Sequence, residues 1–201
     1  MKGMKKIGIT GTIGAGKSLA SSLLRERGYD VLDADSQVHE LYKNCKELRA
    51  ELSAAFGQEC LTEEGVNRKF FAGLIFGDAR ARERLEGIVY PYLTQAVRDF
   101  FDGNSGDAAS AKPRFLEAAI LSRIPEIVGM LDEIWVVDAP EATRLQRLIA
   151  RGMEAEDAKR RILDQAGVCD IALFPGKNLR TIENKEGIQN LERQLDSLLA
   201  E

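Results

Sequence analysis

Gly11-Thr12-Ile13-Gly14-Ala15-Gly16-Lys17-Ser18 has the spacing G-x-x-x-x-G-K-[ST]. The glycines let backbone N–H groups turn inward around a phosphate, and a helix N-terminus following them adds favourable partial charge. Lys17 can reach the β- and γ-phosphates of a nucleotide, and the Ser18 hydroxyl can ligate Mg²⁺. Gly11, Thr12, Ile13, Gly14, Ala15, Gly16, Lys17, Ser18 and Leu19 are therefore the candidate nucleotide-binding residues. A glycine-rich turn with a stray lysine would lack the strand and helix that flank this one.

Carboxylates form the second set. Asp33 and Asp35 stand at positions i and i+2 at the end of a candidate strand, able to project toward one crevice. One carboxylate beside a γ-phosphate can accept a proton from, or orient, an acceptor hydroxyl; another can hold Mg²⁺ directly or through water. Asp35 or Ser36 could equally cap a helix at Ser36–Tyr42. Glu117, at the end of the third candidate strand, is either a metal-side acid or a strand-edge charge. Asp35 and Glu117 are thus the two candidates to join Ser18 at a metal.

Arg144, Arg147 and Arg151 form the third set, with Arg147 and Arg151 sharing a helix face. A guanidinium fork stabilises the charge that spreads over a transferring phosphoryl group. Read beside the loop, this helix is a lid that brings one of these arginines to the phosphates; read alone, it is a solvated face with Glu141 and Glu154 as acidic neighbours.

These residues need elements to hold them. Short, mostly apolar runs predict strands at Lys6–Thr10, Tyr29–Asp33, Pro113–Glu117, Ile134–Asp138 and Leu179–Glu183. Helical stretches alternate with them, which argues for a parallel sheet covered on both faces. In such sheets ligands lie beyond the carboxyl ends of the strands. That rule gathers the loop, Asp33, Glu117 and Asp138 on one rim. Helical spacing also marks Lys46–Phe56, Asn67–Phe76, Ala81–Phe101, Glu141–Arg151, Glu154–Ala166 and Glu186–Leu199. The polar stretch Asp102–Lys112 reads as a mobile loop. The expected organisation is a nucleotide-binding core of residues 1–35 and 113–201, with a lid at about 141–167 and a helical insertion over 36–112.

Composition narrows the class. The 201 residues carry 44% apolar and 30% charged side chains, ordinary for a globular domain. A net charge of −4 gives no general pull toward nucleic acid or anionic lipid. No run approaches membrane-spanning length and none resembles a signal peptide, so a cytoplasmic protein is expected. Cys45, Cys60 and Cys169 form neither a metal spacing nor a disulfide framework. His39, the only histidine, has no evident catalytic partner, and Trp135 reads as core.

Beyond the loop, the chain resembles the dephospho-coenzyme A kinases nearly end to end. The resemblance rests on Val31-Leu32-Asp33-Ala34-Asp35, Glu64-Gly65-Val66-Asn67-Arg68, Leu85-Glu86-Gly87-Ile88-Val89-Tyr90-Pro91, Asp132 to Asp138, Gln146-Arg147-Leu148 to Arg151, and Ile182-Glu183-Asn184. It implies a P-loop NTPase three-layer sandwich with a five-stranded parallel sheet, a helical acceptor-binding insertion and a helical lid. The implied reaction is ATP- and Mg²⁺-dependent phosphorylation of the ribose 3′-hydroxyl of dephospho-coenzyme A. Lys17, Asp33, Arg147 and Arg151 would be catalytic; Asp33, Asp35, Asn67, Arg68 and Tyr90 would meet the acceptor. Neither nucleic acid nor membrane is implied as a partner, and a monomer or small homo-oligomer is expected. The chain departs from the family at Tyr90, where His is usual, at Ala119-Ile120-Leu121 for Pro-Leu-Leu, at Leu19 for Thr, and at Asn178-Leu179 for Ala-Asp. The competing readings are a kinase for another small hydroxyl acceptor, a nucleotide-dependent switch protein, and a paralogue that binds ATP without turnover.

Overall fold

The computed structural model describes residues 4–75, 78–103 and 112–201. In chain order its elements are β1 (Lys6–Thr10), α1 (Lys17–Glu26), β2 (Val31–Asp33), α2 (Ala34–Asn44), α3 (Lys46–Phe56), β3 (Leu61–Thr62), β4 (Gly65–Val66), α4 (Arg68–Ile75), α5 (Ala79–Asp102), β5 (Arg114–Glu117), α6 (Pro125–Met130), β6 (Glu133–Asp138), α7 (Glu141–Ala150), α8 (Ala155–Asp164), β7 (Asn178–Glu183) and α9 (Ile188–Leu199). Two compact units result: Met1–Leu32 with Gly103–Glu201, and Asp33–Asp102.

The first unit is built on a five-stranded parallel sheet in the order β2-β5-β1-β6-β7. Ile9 of β1 pairs with Glu117 on one side and Trp135 on the other. One face carries Ile7, Ile9, Phe115, Trp135, Val137 and Ile182, which pack with Leu23 and Leu24 of α1 and Leu191 and Leu195 of α9. Trp135 is fully buried, its ring 5.1 Å from Phe115, and Tyr29 meets Phe115 edge-on at 5.6 Å. Such pairs contribute about 0.5–1.5 kcal/mol each beyond area burial. On the opposite face Gly8 leaves room for Leu131 and Leu121; an added Cβ would lie 2.6 Å and 2.9 Å from their methyl carbons. Helices on one side and the Leu121–Leu131 segment on the other complete three layers.

The five strands fall where apolar patterning puts them, with small shifts at their ends. β2 begins at Val31 because the chain at Tyr29 is still leaving α1, with the Tyr29 N–H bonded to Leu24. The order of the strands corrects one expectation. Asp33 is expected next to the loop, yet β5 stands between β2 and β1. The carboxylates that end the strands beside β1 are Glu117 and Asp138.

The second unit is mostly helical, as its apolar spacing requires. Leu48, Leu52, Cys60, Phe71, Leu85 and Val89 form its core. Its hairpin β3–β4 has two residues per strand, Leu61 opposite Val66 and Thr62 opposite Gly65, too short to leave a period-two signal. Pro91 lies inside α5. Most of the Asp102–Lys112 loop and Phe76 lie outside the described residues. Among the described residues no helix is long and apolar enough to cross a membrane.

Candidate active site

The phosphate-binding loop is held from beneath by the sheet. Gly11 lies so close to β6 that an added Cβ would stand 2.2 Å from the Val137 carbonyl oxygen. Gly16 has φ 106° and ψ 25°, a left-handed conformation that opens α1 with no side-chain cap. No side chain at the N-cap competes for the first turn of the helix, unlike a Ser or Asp cap. Lys17 folds back over the loop, its ammonium donating to the carbonyls of Gly11 at 2.7 Å and Thr12 at 3.4 Å.

Under the start of α1, the Ser18 hydroxyl donates to Glu117 Oε1 at 2.9 Å. Glu117 is only 5% exposed, and its Oε2 is buried without a hydrogen-bond partner. A buried carboxylate oxygen left unpaired is costly. A hydroxyl and an unsatisfied carboxylate at the foot of a phosphate loop fit a hard divalent cation shared with nucleotide phosphates. No group of three or more His, Cys, Asp or Glu side chains capable of holding a metal exists among the described residues. A cation here would therefore take the rest of its ligands from phosphate and water.

The loop is also gripped from outside. Arg144 donates to the Thr12 hydroxyl at 2.9 Å and to the Ala139 carbonyl at 3.1 Å. Arg147 donates to the carbonyls of Gly14 at 3.3 Å and Ala15 at 3.2 Å, and its other Nη to the Asn184 carbonyl at 2.9 Å. Asn184, 3% exposed, donates from Nδ2 to the same Ala15 carbonyl at 2.8 Å. Carbonyls tied outward fix the peptide planes with N–H groups facing the other way, which is what a phosphate cradle needs. Arg151 ends α7 as an exposed residue, a full turn beyond Arg147. α7 and α8 pack through Leu148, Ala158 and Ile162, and Ile13 of the loop joins that cluster. Cys169 lies near the loop as well: burial pushes its thiol pKa up, against the opposing pull of the Thr10 hydroxyl and the Lys17 charge.

The structure therefore brings Lys17, Ser18, Glu117 and Arg147 together and leaves Arg151 at the exposed end of its helix. Sequence reasoning grouped Arg144 with Arg147 and Arg151 without giving it a contact, and named Asn184 only within the Ile182-Glu183-Asn184 resemblance. Asn184 immediately follows β7, so the strand-end rule that selected Asp33 and Glu117 would have found it.

In the second unit, Asp33 Oδ1 accepts the Ser36 N–H at 2.8 Å and caps α2. The cap is Asp33, with Asp35 exposed in the first turn. Asn67 plays the same part for α4: its Oδ1 accepts the Phe70 N–H at 3.1 Å and its Nδ2 donates to the Glu59 carbonyl at 3.2 Å. Arg68 opens α4 and lines a cavity of about 610 Å³ with His39, Tyr42, Lys43, Thr62, Glu64 and Val66. Burial raises the Tyr42 pKa, and the nearby Arg68 charge opposes that rise. His39, exposed on α2, stands at the edge of that cavity. Tyr90 is half-buried on α5.

The family model for dephospho-CoA kinase matches residues 5–170. A dephospho-CoA kinase of Corynebacterium efficiens is 32% identical over 200 residues, covering 98% of this chain and 97% of its own length. Among solved structures, TT1252 from Thermus thermophilus is 30% identical and superposes with a TM-score of 0.79, covering 99% of this chain and 98% of that one. Dephospho-CoA kinase from Campylobacter jejuni has the same fold, with a TM-score of 0.67 at 20% identity over 97% of this chain and 95% of that one.

Proposed function

The chain belongs to the dephospho-CoA kinase family, and from that premise we propose how its residues carry the reaction. It is an ATP-dependent kinase that phosphorylates the ribose 3′-hydroxyl of dephospho-CoA, giving CoA and ADP. The observation that carries the residue assignment is the loop itself, with Lys17 above it, Ser18 and Glu117 beneath, and Arg144 and Arg147 outside.

In this reading the N–H groups of the loop and of the start of α1 bind the β- and γ-phosphate oxygens. Lys17 leaves its carbonyl contacts to neutralise charge developing on the transferring phosphoryl group. Ser18 and the unpaired Glu117 oxygen would hold Mg²⁺, which when bound would draw phosphate negative charge toward itself. Arg147 keeps the loop carbonyls turned outward, and Arg144 is placed to follow the phosphates through Thr12. Asp33 has one carboxylate oxygen fixed by Ser36 and uses the other to orient, and accept the proton of, the acceptor hydroxyl. Arg68, with Lys43, supplies positive charge for the acceptor's diphosphate, and Asn67 and Tyr90 flank that side. In this reading the enzyme acts in the cytoplasm as a monomer or small homo-oligomer, and its net charge of −4 gives no general attraction to nucleic acid or an anionic membrane.

The test is ADP formation by the purified protein with ATP and Mg²⁺ against a panel of acceptors: dephospho-CoA, AMP, adenosine and shikimate. The expected result is turnover that requires dephospho-CoA. Comparable turnover with another member of the panel would move the acceptor assignment to that compound.

A further inference from the structure

One N–H of the phosphate loop is already taken by the protein. Ile13, third residue of the loop, donates its backbone N–H to the Gln165 side-chain oxygen at 2.7 Å, across 152 residues of sequence. The donor is a backbone N–H, so the side-chain amide can face it only with its oxygen. Gln165 is the residue that ends α8. The Ile13 side chain meanwhile packs into the α7–α8 cluster of Leu148, Ala158 and Ile162. The helical pair thus holds this loop residue by both its backbone and its side chain. The chain just beyond Gln165 stays over the same end of the sheet, where the Val168 carbonyl accepts the Ser122 hydroxyl at 3.2 Å.

We propose that Gln165 is a positioning residue for phosphoryl transfer: by holding the Ile13 N–H it registers the α7–α8 pair on the phosphate loop, so that Ile13 and Arg144 move as one body with the loop that carries ATP. The proposal rests on the kinase reading. Its physical basis is that a neutral acceptor suits this place. It satisfies the N–H without setting a negative charge against a loop that must accept a polyanion.

The test uses the full-length protein with two substitutions. Gln165→Met keeps length and volume and removes the acceptor. Gln165→Glu keeps the acceptor and adds a charge. Affinity for ATP and ADP is measured without acceptor, single-turnover transfer to dephospho-CoA with it, and melting temperature for all three proteins. Gln165→Met should bind ATP within about twofold of the unsubstituted protein but transfer roughly tenfold more slowly, as expected for lost registration rather than lost phosphate contacts. Gln165→Glu should weaken ATP roughly tenfold and ADP less, the scale of one added like charge near a phosphate chain. A role confined to stability would move neither pattern. Normal transfer by Gln165→Met, normal ATP affinity in Gln165→Glu, or losses in both variants that merely track the folded fraction would each overturn the proposal. Absence of dephospho-CoA-dependent turnover in the unsubstituted protein would instead undo the kinase reading, and the two nucleotide affinities would still decide the case of Gln165.

Discussion

At the scale of single residues, Asp33 and the two sequence-favoured arginines separate structure from chemistry. Asp33 caps α2 through Ser36, and an N-cap contributes about 1 kcal/mol. Asn also caps well, so Asp33→Asn should leave the melting temperature and ATP affinity nearly unchanged. If the carboxylate orients or deprotonates the acceptor hydroxyl, turnover should fall by roughly 10²–10⁴. Normal turnover in a normally stable variant would reduce Asp33 to its cap. Arg147 and Arg151 look equivalent in sequence, four residues apart on one helix face. In the fold Arg147 makes hydrogen bonds to Gly14, Ala15 and Asn184, whereas Arg151 is exposed at the helix end. Arg147→Ala should therefore lower kcat/KM for ATP on the order of 10²-fold, because loop peptides lose their orientation. Arg151→Ala should stay within about threefold, as surface charges do. Kinetics of the two variants side by side check this, and equal losses would return Arg151 to the site.

At the scale of elements, the loop and α1 form the unit most tightly specified by sequence. Gly16 combines a left-handed φ of 106° with a close neighbour: an added Cβ would lie 2.1 Å from Asn184 Nδ2. Gly16→Ala should displace the Asn184 side chain and break its bond to Ala15. Added to about 1–2 kcal/mol for forcing an L-residue into this region, the change should lower the melting temperature by several degrees and ATP affinity at least tenfold. Calorimetry and nucleotide titration would show it, and unchanged affinity would mean the loop tolerates another path. The strand–loop–helix series was legible because buried strands are apolar and the loop spacing is nearly unique. Most strands and α3 are recovered almost residue for residue. The two-residue strands β3 and β4, and α6 with its six residues, are too short for periodicity to register. Sheet order was not legible either, since it depends on which crossovers skip a strand. The loop partners of Arg144, Asn184 and Gln165 were not legible because those bonds span 132, 169 and 152 residues, although the place of Asn184 just after β7 marks it by the strand-end rule.

For the molecule as a whole, stability and chemistry are held at opposite ends of the sheet. Glu133 opens β6 at the end away from the loop, 3% exposed. It accepts from Trp135 Nε1 at 2.5 Å, Asn178 Nδ2 at 3.0 Å and Lys5 at 2.9 Å. Burial alone would raise its pKa. The bonds from Trp135 and Lys5 and the charges of Lys5 and Arg180 outweigh it, so the net direction is below the ordinary 4.5. A carboxyl depressed in the folded state contributes stability above its unfolded pKa and loses it as pH falls through the folded value. Glu133→Gln should therefore cost about 1–3 kcal/mol near neutrality, and the difference from the unsubstituted protein should shrink on acidification below pH 4.5. Its kinetic constants should remain those of the parent. Melting curves from pH 3 to 8 check both points; a constant offset at every pH would remove Glu133 as the source of acid sensitivity.

The central claim is that this chain moves a phosphoryl group from ATP to dephospho-CoA at the loop carrying Lys17. Mass analysis of the nucleotide products, from the unsubstituted protein and from Lys17→Ala, tests it most directly. The account predicts one ADP for each molecule of CoA formed, with dephospho-CoA consumed in step. It also predicts that Lys17→Ala loses this conversion while keeping the parent's melting profile, because Lys17 lies at the rim, where its ammonium donates to the loop carbonyls of Gly11 and Thr12, and a lost charge at such a site costs several kcal/mol in the transition state. ATP hydrolysed without CoA appearing, or CoA formed at the parental rate by Lys17→Ala, would contradict it.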